Sequence, residues 1–324
     1  MPARITKFFH SRYAMFLAAV LMTLALWATW ASGHMAAITG NRGIALPPAG
    51  CWLAGPTDLW AAIASAFAVM GLLVYINRRF NLLRDLSTLF VVLFAAMTAA
   101  TPDLGAQFGT GQLLAMVMGV CVVLMFGSYA RPMRRREVFL VFLLLSAGTA
   151  TQYAFAVYIP VMAVCCMQMR LGSLRTAVAA LLGLVTPWWL LLGLGIVEPT
   201  ELQLPRPANI FATINLEEGV QLGTTVLFTA CLFIVAVALN FFRTMAYNAR
   251  ARSYNGTVLL MGFVTIVAMT VDYNNVASYV PVLNICASLQ AAQFFVLHRT
   301  DRSWIAILCI LLAYAGFYIW NSVI

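Results

Sequence analysis

Several stretches of this chain run for 19 residues or more without a charged side chain. Among them are the 29 residues between Arg12 and Arg42, 19 between Asp58 and Arg78, 27 between Asp103 and Arg131, and 22 between Arg175 and Glu198. A helix of roughly 20 apolar residues crosses the hydrocarbon of a bilayer, about 30 Å thick. Inside hydrocarbon every backbone amide must be paired within its own segment, which a helix achieves and an open strand does not. Of the 324 residues 63% are hydrophobic and 9% charged, far from the roughly 25% charged residues of a water-soluble domain. The sequence therefore predicts an all-α, polytopic transmembrane helical bundle, one integral membrane domain over residues 1–324.

The net charge of +9 does not mark a nucleic-acid binder, because the basic residues form no basic domain and instead punctuate the apolar runs. With the N-terminus on the cytoplasmic side, only Arg42 and Arg206 of the 19 Lys and Arg residues fall outside. Seven of the ten acids do so: Asp58, Asp103, Glu198, Glu201, Glu217, Glu218 and Asp272. This asymmetry is the positive-inside rule, and it sets the expected orientation. The apolar run from Tyr13 to Ala31 exceeds the 7–15 residues of a cleavable signal peptide, so it reads as an uncleaved first helix. The expected location is the inner, cytoplasmic membrane of a bacterial cell, with the lipid bilayer as first partner and no nucleic acid.

Apolar runs between charged connections give eleven helices, near 13–31, 58–77, 87–100, 111–129, 138–150, 153–168, 177–197, 221–241, 257–271, 276–297 and 304–321. The longest connections, 32–57 and 198–220, are both outer and too short to bury a core of their own. No Walker-type phosphate loop and no GxGxxG following a strand is present, and the cysteines show no CxxC metal pattern. The sequence thus names no cofactor and no metal, and any chemistry must be built from helix ends and outer loops.

Three helices read as short: 87–100, 138–150 and 257–271 offer about 13 to 15 residues, or roughly 20 to 22 Å. Polar residues follow each one: Thr101, Asp103 and Gln107; Thr149, Thr151 and Gln152; Asp272, Asn274 and Asn275. Polar, irregular backbone at membrane depth is tolerated where protein buries it or water reaches it, so the three ends are expected to line one outward-facing cavity. Asp103 and Asp272 are its candidate catalytic acids, as general bases or cation ligands. Arg42, Arg206 and Gln152 are its candidate substrate-binding residues, the arginines because a guanidinium pairs bidentately with phosphate. His34 is the only outer histidine and a weak candidate. No charged residue lies near the centre of a predicted helix, which counts against a proton-coupled carrier.

An internal echo accompanies this pattern. Tyr158-Ile159-Pro160-Val161-Met162-Ala163-Val164-Cys165 recurs 121 residues later as Tyr279-Val280-Pro281-Val282-Leu283-Asn284-Ile285-Cys286, and Thr88, Phe94, Thr101 and Asp103 align at an offset of 169 with Thr257, Phe263, Thr270 and Asp272. The first echo suggests a parallel internal repeat over 130–197 and 251–320.

In layout the chain resembles polytopic bacterial inner-membrane proteins of unknown function. It also looks like two enzyme groups, the membrane glycosyltransferases that use polyprenyl-phosphate sugars and the O-antigen polymerases and ligases. The former carry a catalytic acid in the first outer loop, where this chain has none before Asp58; the latter rely on outer arginines, for which only Arg42 and Arg206 are available. The resemblance implies an enzyme acting on a lipid or lipid-linked glycan at the outer face. The alternatives are a structural or assembly subunit of a membrane complex, contacting other membrane proteins, and a passive transporter or flippase.

Overall fold

The computed structural model describes residue 8 and residues 11–33, 44–53, 55–83, 87–131, 134–202, 220–298 and 303–323. Among these residues there is no strand. Twelve α-helices lie among the described residues: α1 Arg12–Ser32, α2 Pro56–Phe80, α3 Leu89–Ala99, α4 Pro102–Ala106, α5 Thr110–Gly127, α6 Arg135–Thr151, α7 Tyr158–Gln168, α8 Leu174–Gly193, α9 Val220–Met245, α10 Ala249–Val271, α11 Val276–Leu297 and α12 Ser303–Val323. Eight of them (α1, α2, α5 and α8 to α12) are long and apolar enough to cross a membrane. The chain is an all-α, multi-pass membrane protein.

Helix boundaries follow local chemistry. Ser11 caps α1 by accepting from the N–H of Ala14, and Gly33 ends that helix in the left-handed conformation at φ 72°. Pro56 opens α2 with Asp58 in its first turn, and Arg78 and Arg79 close it, so charges complement the helix dipole at both ends. Ser173 and Asn248 cap α8 and α10 in the same way as Ser11.

Two of the expected short helices are longer than the apolar runs suggest. The third of them, α10, has 23 residues, about 34 Å, and α6 has 17, about 25 Å. An apolar run ends at its first charge, whereas these helices continue through Arg250 and Arg252, or Arg135, Arg136 and Glu137, because long side chains at the membrane boundary keep their charged heads in water. Only α3 is short, at 11 residues or about 16 Å. Pro102 prevents its continuation and opens the five-residue α4, which the sequence reading did not contain. The expected helix at 153–168 is a 3₁₀ turn, Tyr153–Val157, running into α7.

At the centre stands α11, with sixteen of its 22 residues buried. It packs on α3, α5, α9 and α10. At the end that the charge bias assigns to the outside, Thr110 of α5 and Ser278 of α11 share a hydroxyl hydrogen bond of 2.9 Å. At the opposite end the phenol of Tyr254 on α10 donates to the carbonyl of Phe126 on α5 at 2.9 Å. Gly111 permits the close approach of α5 to α11, since a Cβ there would lie 2.7 Å from the carbonyl oxygen of Ala277. In contrast α8 buries only Thr176 and Gly183 and leans on α6 at the rim of the bundle.

Candidate functional site

Two sharp corners meet at the end of the bundle that carries Thr110 and Ser278. The hydroxyls of Thr149 and Thr151 bond back to the carbonyls of Ser146 and Gly148, a habit that loosens a helix terminus. Gln152 then turns extended, and the 3₁₀ turn from Tyr153 folds back so closely that the Phe155 ring occupies the space a side chain at Gly148 would need. The second corner is built alike: α10 ends at Val271, Asp272 terminates it, and the turn Tyr273–Asn275 leads into α11.

Between the corners lies a buried carboxylate. Asp272, 4% exposed, accepts from the Tyr153 phenol on Oδ1 at 2.7 Å, and on Oδ2 from the Asn275 amide at 2.8 Å and the Tyr279 phenol at 3.2 Å. The Asn275 amide also reaches the Tyr153 oxygen. Gln152, fully buried, donates through Nε2 to Asn275 Oδ1 at 2.6 Å, while its own Oε1 accepts nothing. The one ion pair between described residues joins Arg134 and Glu137 at the other end of the bundle, and among the described residues the partners of Asp272 are these hydrogen-bond donors. A carboxylate out of water is costly unless so compensated, and charge-assisted hydrogen bonds are the strong kind. Chemically, this group can take a proton from a hydroxyl or receive a cationic one.

The outer loop 44–53 crosses the same end. The N–H groups of Ala45 and Leu46 both bond the carbonyl of Ala150, at 3.0 and 2.8 Å, and Ala49 is fully buried. This fastens the loop over the last turn of α6, beside Gln152.

Beside the site, the outer halves of α6 and α8 enclose a groove of about 640 Å³. Ser146, Thr149, Ile159, Trp188, Trp189 and Gly193 are among its lining residues. The Ser146 hydroxyl bonds the Leu184 carbonyl at 2.6 Å, and Trp189 is 69% exposed.

The third expected end stands apart. Asp103 sits half-buried in the first turn of α4, its Oδ1 buried without a hydrogen bond, and burial pushes its carboxyl above the usual carboxylate range. It shares neither a hydrogen bond nor a lined cavity with Asp272. Its neighbours Thr101 and Gln112 instead face Pro281 and Asn284 of α11 across a cavity of about 20 Å³. That is room for about one water. Instead of one cavity lined by three ends, two ends share a closed polar cluster and the third faces a separate pocket.

Gln152 and Asp272 are thus brought together and Asp103 is not, while Arg42, Arg206 and His34 lie outside the described residues. Asn275 was visible in sequence as a polar neighbour of Asp272. Tyr153 and Tyr279 were not singled out as site residues; a phenol beside a polar helix break was the available signal. Among the described residues no three His, Cys, Asp or Glu side chains gather as a metal site.

Comparison with protein-family models, with characterised proteins and with solved structures gives no match. Fold and site define the class: a multi-pass membrane protein with a buried, hydrogen-bonded carboxylate at one end of a helical bundle.

Proposed function

We propose that this protein is an enzyme of the inner membrane that acts on a lipid or lipid-linked substrate at the outer face. One observation carries the reading: α6, a wall of the lipid-facing groove, runs directly into Gln152 and Tyr153, which hold Asn275 and Asp272. An apolar chain resting against Trp188 and Trp189 places its polar head one helical turn from the cluster. There Asp272 is the general base, and Tyr153 and Tyr279 orient it. The loop over Ala150 closes the site to water between turnovers, as lids do in many enzymes.

The test uses the full chain in vesicles, with cysteines at positions 185 and 189, both exposed in the groove, in a background free of the seven native ones. Added polyprenyl phosphate protects both from a bilayer-soluble maleimide, whereas phosphatidylglycerol does not. Conversion of polyprenyl-linked sugars falls at least about a hundredfold in Asp272→Asn, the scale of losing a positioned base. Absence of both protection and conversion would leave the assembly-subunit reading in first place.

A second reading, a flippase-like carrier, is favoured by α11, which carries buried Ser278, Asn284, Ser288, Gln290 and Gln293 along its length. Interhelical glue explains such residues equally well. Movement of a labelled lipid between the leaflets of reconstituted vesicles, with no chemical conversion, would select the carrier.

A further inference from the structure

The inner end holds a site of different chemistry. A cavity of about 520 Å³ opens where α2 and α5 end and α6 and α10 begin, and four arginines from three separate segments line it: Arg79, Arg131, Arg134 and Arg250. Among the described residues Glu137 is the one acid in its wall, paired with Arg134 at 3.4 Å. The other three arginines have no acidic partner among the described residues of that wall.

The positive-inside rule accounts for arginines at this end, but not for their gathering about one cavity or for the shaping of its wall. Arg250 is fixed: its Nε donates to the Tyr254 phenol at 2.7 Å, and the guanidinium lies over the rings of Tyr254 and Tyr129 at 5.4 and 5.9 Å. Tyr254 is itself anchored, stacked on Phe126 at 4.2 Å and bonded to the Phe126 carbonyl. With Nε engaged, the two terminal nitrogens of Arg250 are the ones left to face a ligand. The first turn of α6 opens at the same cavity without a side-chain cap, so its unpaired N–H groups add to the preference for an anion. Exposed Tyr75 and the apolar flank of Val123 and Leu124 place the mouth at the membrane boundary.

We infer that this cavity binds a phosphate group, held by Arg79, Arg131, Arg134 and Arg250, either as the headgroup of an anionic lipid of the inner leaflet or as a soluble phosphorylated compound. Guanidinium forks match phosphate oxygens in pairs, and a ligand carrying two negative charges is balanced by the surplus here. The inference is independent of the outer-face reading, since it uses no residue of that site.

The experiment compares the full chain with the double variant Arg79→Gln/Arg131→Gln and with the control Arg78→Gln/Arg136→Gln. The control removes the same charge from neighbouring positions that do not line the cavity. Arg78, Arg79, Arg131 and Arg136 are all exposed, and equal melting temperatures in detergent verify that both variants fold. Native mass spectrometry measures retention of phosphatidylglycerol from mixed micelles. In phosphatidylcholine nanodiscs, the shift of the melting temperature by pyrophosphate is measured. The cavity variant binds at least about tenfold more weakly, as loss of strong charge-assisted contacts requires, and the control stays within about twofold of the parent. Dependence on the cavity in the lipid arm alone identifies a headgroup, and in the pyrophosphate arm a soluble phosphate. Equal loss in both variants, or binding in neither arm by the parent, would overturn the assignment.

Discussion

Tyr153 and Asp272, 119 residues apart in sequence, are joined by a phenol-to-carboxylate hydrogen bond of 2.7 Å, and both are buried. The bond ties the corner after α6 to the corner before α11. Replacing Tyr153 with Phe leaves Oδ1 without this donor, and a buried acceptor left unpaired costs about 1–3 kcal/mol. Tyr279→Phe costs less, because its bond is longer and Asn275 also serves Oδ2. Chemical unfolding in detergent should rank the two variants in that order; equal losses would count against the geometry.

Close packing of α5 on α11 makes Gly111 intolerant. In Gly111→Ala the new methyl meets the backbone oxygen of Ala277 at 2.7 Å, and overpacking of this kind costs about 1–3 kcal/mol. Gly71 on α2 has nothing within 4 Å of the same position. There the substitution to Ala stabilises by about 0.5–1 kcal/mol through helix propensity. Thermal midpoints of the two variants should move in opposite directions.

Amides cross the bundle near its inner half: Gln290 donates to Asn255 at 2.7 Å, and Asn240 donates to the Gln290 carbonyl at 3.0 Å. A double-mutant cycle on Asn255→Ala and Gln290→Ala is expected to give a coupling of about 0.6 kcal/mol and at most about 1.7, the range for hydrogen bonds between membrane helices. Zero coupling would show that the pair is not formed in the membrane.

Burial raises the folded-state pKa of Asp103, so the folded chain holds that proton more tightly than the unfolded one. Stability is therefore lost as pH rises from the ordinary value of 3.8 through the raised one. Asp103→Asn should be more stable than the parent at neutral pH, with the gain vanishing at pH values below 3.8. Unfolding midpoints across this window test the sign, and a variant less stable at neutral pH would refute it.

Orientation is open to a direct check. Cys51 is exposed in the outer loop, whereas Cys231 and Cys309, also exposed, lie in the apolar spans of α9 and α12. A membrane-impermeant maleimide added to intact cells should label Cys51 alone. Labelling of Cys51 only after the membrane is opened would invert the topology.

Much of the fold was legible because lipid imposes a simple rule: uncharged runs such as Asp58 to Arg78 must be helices, and arginines mark where they end. Helix ends were less legible. Arg250 and Arg252 looked like a boundary but belong to α10, capped upstream by Asn248, since a charged head reaches water from within a helix. At the site, Asp272 and Gln152 stood out as polar residues in an apolar chain, whereas Tyr153 and Tyr279 did not, because a phenol is as ordinary in a membrane helix as at a site.

The sequence by itself determined the class of protein and its long apolar helices, which depend on residue type and spacing along one chain. Tertiary structure decided which polar ends meet: it joined Gln152 to Asn275 and Tyr153 to Asp272 while setting Asp103 apart, and it drew Arg79, Arg131, Arg134 and Arg250 around one cavity. Those pairings follow from how helices pack, from the room left by Gly111 and from the break at Pro102, and such contacts lie between segments that periodicity along a single helix does not relate.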